Sequence, residues 1–258
     1  MLRLLAAAAL VYAGSLAYVH SRVMRPGLGA QRPARYNVSL VIPAFNEEKY
    51  IGRLLESAAG QTEPFAEIII ANSGTDRTEA IALEAGAIVV PCESGNIAAA
   101  RNAAAGAAQG EILVFCDADM YLSPHLLEEC VDALEEGYAC AVPHTIVYDS
   151  VFWNCLSWGA RMLRDLAHQH GTLGIVAVWR EVFEEVGGYD INCNPMALTM
   201  CREDQDFGHR VEEIYGANVI KQMPYLAATS ARRFKTSGVV GLQHFDETPR
   251  RYLDAGRM

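Results

Sequence analysis

No surplus of basic residues marks this chain. Its 21 Lys and Arg stand against 31 Asp and Glu, a formal net charge of −10, so little is available to release counterions from a phosphodiester backbone and nucleic-acid binding is not expected. No C-x-x-C pair occurs among the seven cysteines (92, 116, 130, 140, 155, 193 and 201). That odd number argues against a zinc knuckle or a complete disulfide framework, and reduced thiols in the cytosol are expected. No G-x-G-x-x-G follows the first predicted strand, and no G-x-x-x-x-G-K-[ST] loop occurs; a dinucleotide-binding Rossmann enzyme and a P-loop NTPase both lose support. The 10 prolines are scattered, which excludes a collagen-like chain. With 258 residues, 51% of them hydrophobic, the chain can bury one large core.

Leu4 to Val19 is almost wholly apolar or small, with Tyr12 and Ser15 inside it. As a helix it would extend about 24 Å, marginal for a bilayer. Ser15-Leu16-Ala17 also suits a cleaved secretory signal, and an alanine-rich helix docked on the protein body is a third reading. Arg22, Arg25, Arg32 and Arg35 follow the segment and only Arg3 precedes it, so a single-pass anchor would leave the main domain facing the cytoplasm. Pro26-Gly27 and Pro33 mark a linker. The expected organisation is a membrane-anchor helix over 1–21, a linker over 22–36, a main domain over 37–225, and a tail over 226–258 that covers the site or lies on the membrane.

From Asn37 short apolar runs alternate with amphipathic stretches, the signature of an α/β domain around a mostly parallel sheet. Strands are predicted at Val38–Ile42, Glu67–Ala71, Ala87–Pro91 and Ile112–Cys116, with helices over 47–59, 75–85 and 97–108 between them. After Asp119 the rhythm breaks: 124–136 reads as helix, 139–147 as strand, and 151–168 as a long amphipathic segment carrying Phe152, Trp153 and Trp158.

Ligands of such sheets collect beyond the carboxyl ends of the strands. Four groups lie there: Pro43 to Glu48, Asn72 to Asp76, Asp117-Ala118-Asp119, and Glu203-Asp204 at the start of a later helix. Two aspartates around a sharp turn suit a hard divalent cation shared with phosphate oxygens; the same pair also reads as a cap for the turn near Ser123-Pro124. Glu203-Asp204 suits deprotonation of a hydroxyl, or equally the positive end of a helix. His209 and His244 read as ordinary histidines rather than ligands.

Taken together and in order, these segments resemble family 2 glycosyltransferases of the GT-A fold, the nucleotide-diphospho-sugar transferases. Val38 to Glu48 is similar to their opening strand and nucleotide loop, and Asn72-Ser73-Gly74-Thr75-Asp76-Arg77-Thr78 to their D-G-S-x-D-x-T stretch. Arg101-Asn102 followed by Gly110 to Asp119 resembles the "RN … GE-strand-DAD" run. Gly174, Arg180 to Phe183 and Val186 to Asp190 resemble the acceptor side, and Glu203 to Phe207 with Arg210 the E-D motif.

The resemblance implies that Pro43, Ala44, Phe45 and Glu47, helped by Asn72, hold the nucleobase and ribose, with Ala118 in the same pocket and Arg101 and Asn102 supporting it. It further implies that Asp117 contacts ribose or metal, that Asp119 binds a divalent cation (Mn2+ or Mg2+) bridging the diphosphate, and that Asp204, with Glu203 beside it, acts as general base for inversion at the sugar. Arg232 and Arg233 would close over the leaving diphosphate. The expected activity is one sugar transfer from a UDP- or GDP-linked donor to a glycan or lipid-linked hydroxyl near a membrane.

Two departures stand out: Ala71-Asn72 replaces the usual aspartate pair, and the processive Q-x-x-R-W signature is absent. A nucleotidyltransferase on a related scaffold and a non-catalytic nucleotide-sugar-binding protein are the competing readings.

Overall fold

A computed structural model describes residues 21, 23, 31–92, 96–148, 150, 174–193, 203–230 and 232. The anchor expected over 1–21 lies outside these apart from Ser21, as do Phe152, Trp153, Trp158, Arg233 and His244. Among the described residues no helix is long and apolar enough to cross a membrane.

The chain runs β1 (Val38–Ala44), α1 (Ile51–Ala59), β2 (Glu67–Asn72), α2 (Thr78–Glu84), β3 (Ile88–Pro91), α3 (Ile97–Ala107), β4 (Ile112–Cys116), β5 (Met120–Leu122), α4 (Leu126–Glu135), β6 (Cys140–Val147), β7 (Ile175–Trp179), α5 (Arg180–Val186), α6 (Glu203–Tyr215) and β8 (Ile220–Thr229). All eight strands form one sheet in the order β3-β2-β1-β4-β7-β6-β8-β5.

The first four strands are parallel, as their intervening helices require. Beyond β4 the sheet is mixed rather than mostly parallel: β7 runs antiparallel to β4, β6 antiparallel to β7, β8 parallel to β6 and β5 antiparallel to β8. The reversal has a local cause. The Asp117 amide donates to the Gly174 carbonyl at 3.2 Å, so the chain re-enters the sheet at the carboxyl end of β4 and must run back down beside it.

Side chains of the central strands alternate between two cores. Leu40 and Ile42 of β1 and Ile112, Val114 and Cys116 of β4 join α1 and α4 on one face; Val41, Leu113 and Phe115 join α3, α5 and α6 on the other. That two-residue period explains why β4 is apolar throughout: both its faces are covered. On α3, Ala98, Ala100, Ala104 and Ala105 are buried, and these small side chains let the helix backbone approach β1 and β2. The helix begins at Asn96, whose side chain accepts from the amides of Ala98 and Ala99 at 2.9 and 3.2 Å.

Three boundaries differ from expectation. Pro43 continues β1 instead of closing it, because pairing with β4 has already ended at Val41 and its missing N–H costs no ladder bond there. Strand β8 runs to Thr229, so the sheet extends past the boundary at 225. The described residues of the expected linker contact the domain: Val23 packs with Ile146 and Ala228, Arg32 pairs with Glu128, and Arg35 reaches Glu63, Asp132 and Glu135 at 2.9, 2.7 and 2.6 Å. These two arginines are engaged by the protein itself.

Candidate functional site

The carboxyl ends of β1, β2 and β4 bring three loops together. After β1, Asn46 adopts a left-handed conformation (φ 55°), which asparagine tolerates better than most residues. Its side-chain oxygen then accepts the amides of Thr75 and Asp76 at 2.9 and 3.3 Å. Gly74 is required opposite, since a Cβ there would lie 2.5 Å from the Asn46 nitrogen. Asp76 accepts the Glu48 amide at 3.0 Å, while the Glu47 amide donates to the Thr78 hydroxyl at 2.8 Å. Glu47 is thereby held at the mouth of the sheet, with Pro43 half-buried, Ala44 buried and Phe45 42% exposed beside it. Asn72 is buried and turns inward, accepting the Gly74 amide at 3.1 Å.

The loop after β4 is a tight turn in which the Met120 amide returns to the Asp117 carbonyl at 3.2 Å. Asp117, Ala118 and Asp119 are all buried. Gly174 backs this turn with φ +78°, and a Cβ there would meet the Met120 methyl at 2.6 Å.

Two arginines neutralise the aspartates. Arg101, on α3, donates to Asp117 at 3.0 Å and to Glu203 at 3.1 Å, and its guanidinium carbon lies 5.0 Å from the centre of the Tyr189 ring. Tyr189 is itself packed in an aromatic group with Phe115, Phe183 and Phe207. Burial alone would depress the Arg101 guanidinium, but Tyr189 and the carboxylates of Asp117, Glu203 and Asp204 raise it, so it remains a fixed positive charge. Arg232, just past β8, donates through Nε to Asp119 at 3.0 Å and through Nη2 to Glu47. Its guanidinium carbon stands 4.5 Å from the Tyr50 ring centre. Burial lowers its pKa and the bonds to Glu47 and Asp119 outweigh that, for a net rise.

Asp204 is buried in the first turn of α6, where one carboxylate oxygen accepts the Gln205 amide at 2.9 Å. The helix dipole favours negative charge there. Glu203 differs from its neighbour in being committed to Arg101.

The structure thus forms two bonded groups, Arg101 with Asp117 and Glu203 and Arg232 with Asp119 and Glu47, joined through the Asp117–Asp119 turn, with Asp204 one residue from Glu203. Tyr50 and Thr229 join these groups without any sequence signal that singles them out, whereas Tyr189 lies in the stretch that resembles the acceptor side. Asn102 has a second role: its amide forms paired bonds with the backbone of Tyr189 at 2.7 and 2.9 Å. A separate open groove of about 490 Å³, lined by Asn102, Tyr189, Asp190, Ile191, Asp206 and Arg210, contains neither Asp119 nor Arg232. His209 is exposed, as an ordinary histidine would be.

Among the described residues no group of three His, Cys, Asp or Glu converges as a metal cage. Two hard carboxylates on one turn nevertheless fit a cation that keeps sites for phosphate oxygens and water. Cys92, Cys116, Cys130 and Cys140 are free thiols, but Cys193 is disulfide-bonded, which corrects the expectation of reduced thiols throughout.

Several known proteins are similar to this chain in sequence or in fold. EpsJ of Bacillus subtilis (strain 168), an uncharacterised glycosyltransferase, is 28% identical over 222 residues, 74% of this chain and 64% of EpsJ. The chain therefore spans less than two thirds of that relative. Glucosyl-3-phosphoglycerate synthase from Mycobacterium tuberculosis, solved with Mn2+ and UDP-glucose, superposes with a TM-score of 0.62 at 20% identity, over 90% of this chain and 80% of that one. TarS of S. aureus (residues 1–349) gives 0.57 at 18% identity, over 84% and 68%. At these identities the two structures establish a shared fold. The sequence profile of Glycosyl transferase family 2 matches residues 39–186, more than half of the chain, and the chain belongs to that family.

Proposed function

We propose that this member of a transferase family moves one sugar from a nucleoside-diphosphate donor to a hydroxyl of a glycan or lipid-linked acceptor, with inversion and with a divalent cation. The observation that carries the reading is the network that ties the Asp117–Asp119 turn to the start of α6 through Arg101. Donor-side and acceptor-side carboxylates are thereby held in register, and positioning is most of what displacement at an anomeric carbon needs from a protein.

In this reading Pro43, Ala44, Phe45, Glu47 and Asn72 line the nucleoside pocket. Asp117 and Asp119 would hold Mn2+ or Mg2+, which when bound offsets charge on the departing diphosphate. Asp204 accepts the proton of the acceptor hydroxyl as its oxygen attacks the anomeric carbon from the face opposite the leaving diphosphate. Arg101 bridges Asp117 and Glu203 and holds both carboxylates in place. The Mycobacterium tuberculosis neighbour, solved with Mn2+ and UDP-glucose, supports a UDP-linked donor. A membrane location rests on the apolar run Leu4 to Val19, and its cytoplasmic face on Arg22, Arg25, Arg32 and Arg35 after it; the Cys193 disulfide weighs against that face, and thiol labelling of intact cells decides it.

The test is product analysis on a panel of nucleotide sugars and hydroxyl acceptors with Mn2+. Release of a nucleoside diphosphate with a β-configured product from an α-linked donor is expected, and Asp204→Asn should cut turnover about 10²- to 10⁴-fold with an unchanged melting temperature. Release of pyrophosphate would identify a nucleotidyltransferase instead. Donor binding without turnover across the panel would identify a binding protein.

A further inference from the structure

We infer that Arg232 is a built-in counter-cation of the Asp119 site: it holds Asp119 and Glu47 in the free protein and yields them to a divalent cation only when a diphosphate arrives to receive its guanidinium. The inference rests on the reading of Asp119 as a cation ligand.

Arg232 takes partners from separate loops. Nε meets Asp119 in the turn after β4 at 3.0 Å, Nη2 meets Glu47 in the loop after β1, and the guanidinium lies 4.5 Å from the ring of Tyr50, ahead of α1. The sheet puts it there. Thr229 is paired in register with Met120, and its hydroxyl donates to the other Asp119 oxygen at 3.4 Å. The chain turns immediately afterwards, with the Arg232 amide bonded to the Ser230 hydroxyl at 3.2 Å.

The Asp119 side chain is only 3% exposed. A carboxylate that buried needs a positive partner in every state of the protein. A guanidinium on Oδ2 and a metal ion on the same oxygen exclude each other sterically and by charge. Arg232, at 25% exposure, is the partner able to leave. Its planar fork matches a diphosphate as well as it matches two carboxylates. The cation and the diphosphate therefore bind together, the one replacing Arg232 and the other accepting it, while either alone must work against the Arg232 pair.

The experiment titrates the full chain with Mn2+, read by the electron paramagnetic resonance of free Mn2+, with and without inorganic pyrophosphate. Wild type should bind Mn2+ weakly alone and much more tightly with pyrophosphate. Arg232→Gln should bind Mn2+ alone on the order of tenfold more tightly, because the competing state is gone, and should lose most of the enhancement by pyrophosphate. Arg232→Lys, which keeps the charge but not the fork, should stay near wild type for Mn2+ alone, and it guards against a glutamine variant that misfolds.

Equal Mn2+ affinity in wild type and a folded Arg232→Gln, with binding abolished by Asp119→Asn, overturns the counter-cation and leaves the metal reading standing. Mn2+ binding that is absent from all of them, or unchanged by Asp119→Asn, overturns both.

Discussion

Arg101 and Arg232 do the same electrostatic job in opposite ways. The Arg101 side chain is 5% exposed, springs from the middle of a helix packed on the central strands, and pairs with carboxylates from the turn after β4 and from α6. The Arg232 side chain is 25% exposed and lies three residues past Thr229, where β8 ends. One ion pair is part of the core and the other is laid over the site. A charge buried on a rigid element is a brace, because removing it strands its partners; a charge at the rim can exchange partners at small cost. The same residue type therefore fixes the geometry of the site in one place and leaves it able to respond in the other.

The strongest way to break this contrast is to remove the brace. Arg101→Met should destabilise the protein by about 3–5 kcal/mol, since Asp117 and Glu203 are left charged without their partner in a buried setting, and urea unfolding would measure it. A loss below about 1 kcal/mol would show that Arg101 is as dispensable as a surface charge. Next comes Asn102→Ala, which removes both bonds to the Tyr189 backbone. A cost of about 1–3 kcal/mol is expected, and because Tyr189 underlies Arg101 the same variant should raise the donor KM. Arg232→Gln also strands a buried carboxylate, Asp119 at 3% exposure, so a cost of about 1–3 kcal/mol is expected without metal, and Mn2+ with pyrophosphate should restore most of it. A loss that Mn2+ with pyrophosphate leaves unchanged would erase the distinction between the two arginines.

The two arginines were also unequally legible in the sequence. Arg101 lies next to Asn102 in a recognisable run that ends in Asp117-Ala118-Asp119, and the strand before those aspartates, Ile112–Cys116, is apolar because both its faces are covered. Arg232 is 113 residues from Asp119 and 185 from Glu47. No local spacing connects them; only the pairing of β5 with β8 does, and β5 is a three-residue strand with no periodic signal. For the same reason the mixed half of the sheet was missed. The direction of β7 is set by the bond from Asp117 to Gly174, a tertiary event that hydrophobic periodicity does not encode. Glu203 and Asp204 read alike as neighbouring acids; in the fold Asp204 is buried and accepts the Gln205 amide, while the more exposed Glu203 accepts from the Arg101 guanidinium.

The smallest effect concerns the loop that presents Glu47, the other partner of Arg232. That loop is held by neutral donors around Asp76 rather than by a counter-charge. Burial would raise the Asp76 carboxyl, but bonds from the Thr78 hydroxyl and from the amides of Glu48 and Thr78 outweigh it and hold the pKa below the usual value. A carboxyl whose folded pKa is depressed contributes stability that is complete above its unfolded pKa and disappears as pH falls through the folded one. Below about pH 4, then, wild type should lose a contribution that Asp76→Asn lacks at every pH, and the two stability curves should converge. The gap at neutral pH should be under about 1 kcal/mol, because the group is partly exposed. A gap that stayed constant through acid would mean that the amide donors recognise the shape of residue 76 and not its charge. Glu47 would then be positioned at the same place whether or not Asp76 is ionised, and the loop would owe that placement to hydrogen-bond geometry at residue 76 rather than to its charge.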